Sequence, residues 1–144
     1  NTIMARNIAK DGEGATKLLE CKISGAKTEE DASILGKSVI NSPLVKTAMF
    51  GSDANWGRVL CALGYANINF DPKKVDVSFQ SSKGELNVCK SGSSLDFDEN
   101  KAKEILSEDE IIIDINLNSG KYGAVIWGCD LTYEYVKING DYRS

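Results

Sequence analysis

Ile111-Ile112-Ile113-Asp114-Ile115-Asn116-Leu117-Asn118-Ser119-Gly120-Lys121-Tyr122-Gly123-Ala124-Val125-Ile126-Trp127-Gly128-Cys129 is the stretch from which the expected fold follows. Its first part alternates, so that Ile111, Ile113, Ile115 and Leu117 line one face of a strand, the two-residue period of a pleated backbone with one buried side. Asn118-Ser119-Gly120 supplies turn residues, and Tyr122 to Cys129 reads as the next strand, so the whole is expected to form a β-hairpin. Upstream, Val75 to Phe79 and Glu85 to Cys89 flank Gln80-Ser81-Ser82-Lys83-Gly84 and read as two more strands joined directly. Ala15 to Ile23 also alternates, with Leu18, Glu20 and Lys22 on one side and Lys17, Leu19, Cys21 and Ile23 on the other, and is expected to be a strand. Leu131 to Ile138 alternates Tyr133 and Tyr135 against Val136 and Ile138.

Between these runs the period changes to that of a helix. Thr28 followed by Glu29, Glu30 and Asp31 is a helix start, because a hydroxyl cap and an acidic first turn satisfy orphan amides and the macrodipole. Ala32, Leu35 and Val39 supply its apolar face. Ser42-Pro43 opens a second helix, where proline lacks only an amide that would have no partner, and Gly51 ends it. Asp53 or Asn55 opens a third, with Val59, Leu60 and Leu63 as the stripe and Gly64 as the expected stop. Asp98 to Leu106 is a fourth. Ile3 to Ala9 is expected to close a helix begun upstream, broken by Asp11-Gly12-Glu13-Gly14. Helices followed by strands joined through short turns predict an α+β fold.

Composition narrows the classes of function. The 144 residues carry 17 Lys and Arg against 21 Asp and Glu, a net charge of -4, and no histidine. That length suits one domain, or one domain plus a piece of another. With 42% hydrophobic and 26% charged residues, a packed core is expected. Apolar runs of a few residues fall short of the roughly 18 that span a bilayer, so no membrane role is expected. Asn1-Thr2-Ile3-Met4-Ala5-Arg6 has no secretory signal pattern, and the lack of a leading Met suggests a processed or truncated chain. No Lys or Arg cluster invites nucleic acid. Without histidine, imidazole bases, histidine triads and HExxH zinc sites are excluded, and no metal site is expected. Cys21, Cys61, Cys89 and Cys129 are widely spaced, which suits reduced, mostly buried thiols in a cytoplasmic protein better than disulfides.

Three segments concentrate functional groups. In Asp11-Gly12-Glu13-Gly14-Ala15-Thr16-Lys17 the glycines permit close approach of a small ligand, and Glu13 can pair with an ammonium or relay a proton. The same residues also make an ordinary solvated turn, which chemistry alone favours. The spacing does not match a phosphate loop. Phe50-Gly51-Ser52-Asp53-Ala54-Asn55-Trp56-Gly57-Arg58 offers a guanidinium beside a helix start, able to hold a carboxylate, although caps and packing are the favoured reading. Asn139-Gly140-Asp141-Tyr142-Arg143-Ser144 is a polar terminus whose default is a frayed tail. No serine, threonine or cysteine shows a nucleophile's surroundings.

Taken together, three longer segments resemble one family. They are Ala5 to Lys17, Ser42 to Arg58, and Cys129 to Ser144, the last reading Cys129-Asp130-Leu131-Thr132-Tyr133-Glu134-Tyr135-Val136-Lys137-Ile138-Asn139-Gly140-Asp141-Tyr142-Arg143-Ser144. They look like the β chain of ornithine acetyltransferase, the glutamate N-acetyltransferase of the cyclic arginine pathway, and more narrowly like the C-terminal part of that β chain. The resemblance implies residues 1–27 as the end of an α/β catalytic domain, 28–136 as a small α+β domain with a mixed or antiparallel sheet, and 137–144 as a tail returning to the active site. It implies a precursor that cleaves itself before a threonine, which then carries an acetyl group from N-acetylornithine to glutamate by a ping-pong route. Some members also accept acetyl-CoA, and no resident cofactor is implied.

Carried onto this chain, the resemblance makes Glu13, Asn139 and Ser144 substrate-binding residues and places Asp11 and Lys17 in local structure. No catalytic residue is expected within the chain, since the family's nucleophilic threonine lies upstream of Asn1 and Thr2 lacks its surroundings. The implied partners are the α chain and the rest of the β chain from the same precursor, as αβ pairs that dimerise into a heterotetramer in the cytoplasm. The chain alone is expected to be inactive. Two alternatives remain: an N-terminal-nucleophile aminopeptidase or amidase, and a non-enzymatic α+β interaction module.

Overall fold

A computed structural model describes residues 17–130. Strand β1 (Leu18–Ala26) is followed by helices α1 (Glu29–Ile40), α2 (Pro43–Phe50) and α3 (Trp56–Tyr65). A 3-10 turn (Pro72–Lys74) leads to β2 (Asp76–Ser81), β3 (Gly84–Lys90) and the short β4 (Ser93–Ser94). Helix α4 (Glu99–Leu106), β5 (Glu110–Asn116) and β6 (Tyr122–Cys129) complete the order. The described residues form an α+β fold, with four helices against one mixed six-stranded sheet.

The helices start where their caps predict. Thr28 accepts from the Asp31 amide, Ser42 from Val45, Asn55 from Arg58, and Asp98 from Asn100 and Lys101. Each side-chain oxygen satisfies an amide that the first turn leaves without a partner. The third helix does not stop at Gly64. It runs one residue further to Tyr65, and Asn67 takes the left-handed conformation (φ 57) after it. Asparagine tolerates that region, so it does the work expected of a glycine.

The strand order is β4-β3-β2-β5-β1-β6. β2 and β3 form the expected hairpin, with pairing from Ser81 opposite Gly84 that leaves a two-residue turn, Ser82-Lys83. β5 and β6 do not pair with each other. β1 lies between them, parallel to β5 and antiparallel to β6. The connection after β5 bonds to the end of β1 instead of closing on itself: the Leu117 amide donates to Ser24 O at 2.9 Å and the Ser119 amide to Gly25 O at 2.8 Å. Gly120 passes so close over Ala26 that a Cβ would strike its carbonyl oxygen. The connection therefore crosses two inter-strand spacings of about 4.8 Å each. The boundary expected after residue 27 thus falls directly behind a strand that pairs on both sides with the strands of the following unit.

All four helices cover one face of the sheet. Leu19, Cys21 and Ile23 of β1, Val77 and Phe79 of β2, and Ile111, Ile113 and Ile115 of β5 point into this core and are buried. Leu35 and Val39 of α1, Val59 and Leu63 of α3, and Ile105 and Leu106 of α4 close it from above. Gly36 lets α1 settle on Ile23 and Ile126, because a side chain there would meet Ile126. The other face carries Glu20, Lys22, Asp114, Asn116, Gln80 and Trp127 and is half-open to solvent. There Gln80 donates to Asp114 at 3.0 Å, and Trp127 Nε1 donates to Glu20 at 2.8 Å.

All four cysteines are free thiols in the structure. Cys21 and Cys89 are buried, Cys61 is exposed and Cys129 lies between. Burial pushes the Cys21 thiol well above its ordinary range, aided by the Asp114 charge, so it stays protonated and inert. Among the described residues no helix is long and apolar enough to cross a membrane.

Candidate functional site

The described residues begin before β1 and end after β6, its neighbour in the sheet, and the two ends meet. The Lys17 amide donates to Asp130 Oδ1 at 2.9 Å, and the Asp130 amide donates back to Lys17 O at 3.2 Å. Asp130 is only 1% exposed. The last residue of the Gly-rich first motif is thereby joined to the second residue of the third.

The second motif reaches the same place through the Lys17 side chain. Its ammonium donates to Met49 O at 2.7 Å, Ser52 Oγ at 3.0 Å and Leu106 O at 2.6 Å. Met49 lies in the last turn of α2 and Leu106 is the last residue of α4, so one cation serves the carbonyl ends of two helices. Those carbonyls lack partners within their helices and carry the negative end of the macrodipole, which is where a cation is stabilising. Ser52 sits in the left-handed region (φ 53), with its amide bonded to Met49 O at 3.1 Å and its hydroxyl donating to Leu106 O at 3.2 Å. Burial holds the Lys17 ammonium below its ordinary pKa, and the charges of Asp130 and Asp109 work against that shift.

The rest of the second motif shapes helices. The Arg58 guanidinium donates to Leu44 O at 3.0 Å, tying α3 to α2, and Asn55 caps α3 while its amide donates to Asp53 at 3.3 Å. These contacts are the packing role favoured from the sequence. Beside the junction an open groove of about 600 Å³ runs along Leu18, Glu20, Ser81, Ser82 and Glu108 to Ile112. Its wall is acidic, and its carboxylates are partly engaged, with Ser82 donating to Glu108 at 2.8 Å and Lys22 lying 3.8 Å from Glu20. Among the described residues no group of three or more Cys, Asp and Glu side chains is gathered as a metal ion would require.

Glu13, Asn139 and Ser144, the expected substrate-binding residues, lie outside the described residues, as do the helix end at Ile3 to Ala9, the run Leu131 to Ile138 and the tail 137–144. Lys17, Ser52 and Asp130 are what the residue-by-residue reading missed. Lys17, expected to serve local structure, has side-chain partners 32, 35 and 89 residues away. The available signal was that each of the three belongs to one of the three motifs.

Comparison with known proteins settles the family. The ArgJ family model matches residues 1–144, the whole chain. The chain belongs to the ArgJ family. It is 58% identical over its full length to the arginine biosynthesis bifunctional protein ArgJ 1 of Clostridium acetobutylicum, covering 35% of that protein. It is 46% identical to the glutamate N-acetyltransferase of Methanosarcina mazei, with 99% of this chain and 36% of that protein covered. The crystal structure of the arginine biosynthesis bifunctional protein ArgJ from Bacillus halodurans superposes with a TM-score of 0.90 at 40% identity, over 97% of this chain and 64% of that one. The chain thus spans about a third of the length of these curated ArgJ relatives. The likeness is to the ArgJ family, and the expected placement at the C-terminal end of a β chain is not part of what it shows.

Proposed function

We propose that this chain is the substrate-binding part of a glutamate N-acetyltransferase of arginine biosynthesis, which moves an acetyl group from N-acetylornithine to glutamate. The observation that carries the reading is the junction at Lys17, where three motifs far apart in the chain meet through Ser52 and Asp130. Along the chain Glu13 stands four residues before the junction, and the stretch holding Asn139 and Ser144 follows it, which supports the reading. The bifunctional name of several ArgJ relatives supports acetyl-CoA as a second donor, with no resident cofactor.

In the complete enzyme the nucleophile is a threonine outside this chain, with its own α-amine as base. Its hydroxyl oxygen attacks the acetyl carbonyl of N-acetylornithine, the C–N bond breaks, and the proton taken from the hydroxyl leaves with ornithine as the free amine. Glutamate's amine then attacks the acetyl-threonine ester, forming N-acetylglutamate and returning the hydroxyl. Glu13 holds the incoming or departing amine, while Asn139 and Ser144 hold the amino-acid portion. The partners are the remaining polypeptide of the same precursor, in αβ pairs that dimerise, in the cytoplasm.

Intact-mass analysis of the complete gene product, incubated with N-acetylornithine and denatured, tests the reading. Two chains are expected, with an acetyl adduct on the one that begins with threonine. A single unprocessed chain without adduct would overturn it and favour an interaction module.

A further inference from the structure

We propose that Lys17 is a positioning residue for the acetyl transfer inferred above: its ammonium ties the Gly-rich motif that carries Glu13 to the Ser52 connection, and its backbone ties the same motif to Asp130, where the C-terminal segment begins. The proposal rests on the acetyltransferase reading. An ammonium has three protons, and all three are used, on Met49 O, Ser52 Oγ and Leu106 O. Lys17 therefore has no donor to offer a substrate, and its action is through what it holds.

The geometry differs from that of a surface ion pair. Both oxygen partners from helices are terminal carbonyls of separate elements, α2 and α4, and the third partner is a hydroxyl on a left-handed residue between α2 and α3. The Lys17 backbone closes a reciprocal pair with buried Asp130. A half-buried charge satisfied on every side fixes one arrangement of four chain segments, because any shift leaves a desolvated group without its partner. Glu13 stands four residues along the chain from this anchor. Loss of the staple leaves the nucleophile's own chemistry intact and loosens the substrate's grip.

The test uses the complete enzyme with Lys17→Met, Lys17→Arg and Ser52→Ala, each measured for self-processing, acetyl-adduct stoichiometry, and KM and kcat with N-acetylornithine and glutamate. Expressed per adduct-forming site, Lys17→Met is expected to raise KM for the amino-acid substrates about tenfold or more while kcat changes less than about threefold. Lys17→Arg, which keeps the charge and donors, is expected to recover part of that loss. A role confined to folding would lower the fraction of adduct-forming sites and leave KM at the wild-type value, and that result overturns the proposal. Should Lys17→Met fail to fold, Ser52→Ala decides: a KM raised about threefold supports the staple, and an unchanged KM overturns it. Failure of the acetyltransferase reading is recognised separately, since the wild-type enzyme itself would then form no adduct.

Discussion

The two ends of the sheet each hold a charged side chain among backbone groups, and they do so with opposite physics. At one end Lys17 is taken out of water and its charged form is penalised, although two helix ends and Ser52 receive all of its protons. At the other end Asp76 is favoured as a carboxylate. Partial burial opposes its ionisation, but the Ser91 amide at 2.9 Å, the Asn118 side-chain amide at 3.0 Å and the Lys90 charge outweigh it and hold its pKa below the ordinary value. The Asp76 end ties loops together: Asn118, left-handed at φ 52, also donates to Lys74 O at 2.7 Å. The Lys17 end ties motifs together. One site is a satisfied turn anchor that any fold can use, and the other fixes the segments on which the proposed chemistry depends.

Removing either charge separates the two roles, and Lys17→Met should have the largest effect. It exposes no new donor but leaves two helix-end carbonyls and a serine hydroxyl without their cation, a loss of about 2 kcal/mol. Hydrogen exchange on the complete enzyme should show faster exchange in the last turns of α2 and α4 and around Ser52, with the β2–β3 hairpin unchanged. Uniform acceleration throughout would mean that the junction is no special staple. Ser52→Ala should be smaller, about 1 kcal/mol, since one hydroxyl that both accepts and donates is lost while the left-handed backbone remains. Ser52→Gly should fall within about 0.5 kcal/mol of wild type, because relief of the left-handed strain offsets the lost hydroxyl. Thermal unfolding of the two variants side by side checks the order; a glycine variant weaker than the alanine one would refute the strain argument.

The smallest effect is a change of pH dependence at the Asp76 end. Because the folded pKa of Asp76 lies below its unfolded value, the unfolded chain binds more protons in the interval between them, and stability rises with pH there. Its contribution is fully present above the ordinary carboxylate range and is lost as pH falls through the folded value. Asp76→Asn should flatten that acid limb and leave the alkaline side alone. Lys17, also lowered, gives the same sign of slope in its own alkaline interval between the folded and ordinary lysine values, but by relief of a penalty on the charged form. A stability profile of Asp76→Asn identical to wild type below about pH 4 would remove Asp76 from the account.

Much of the local architecture was legible because it is written in short range. Thr28, Ser42, Asn55 and Asp98 act within three residues of themselves, so their caps could be read directly. The alternation grouped Leu19, Cys21 and Ile23 on one side of β1 and Ile111, Ile113 and Ile115 on one side of β5, and the structure makes these the core-facing sides, since the period of a strand is the same whatever lies beside it. The turn at Asn118-Ser119-Gly120 was equally legible, but its meaning was not. The same turn chemistry serves a hairpin and a crossing over an intervening strand, and only the bonds to Ser24 and Gly25 distinguish them.

The candidate site divides along the same line. The three motifs, the family they belong to and the residue types suited to amine and carboxylate recognition were present in the order of amino acids, because each motif is contiguous. Which residue joins them was not, since Lys17 finds Met49, Ser52, Leu106 and Asp130 only after four helices and a six-stranded sheet have been assembled between them. By itself the sequence determined where helices begin, which strand faces are buried and which motifs carry chemistry, all of them matters of neighbours along the chain. The tertiary structure alone decided the insertion of β1 between β5 and β6 and the meeting of three motifs on one residue, Lys17, through its ammonium and its backbone, because partners up to 113 residues apart are chosen by packing and by the need to satisfy every desolvated polar group.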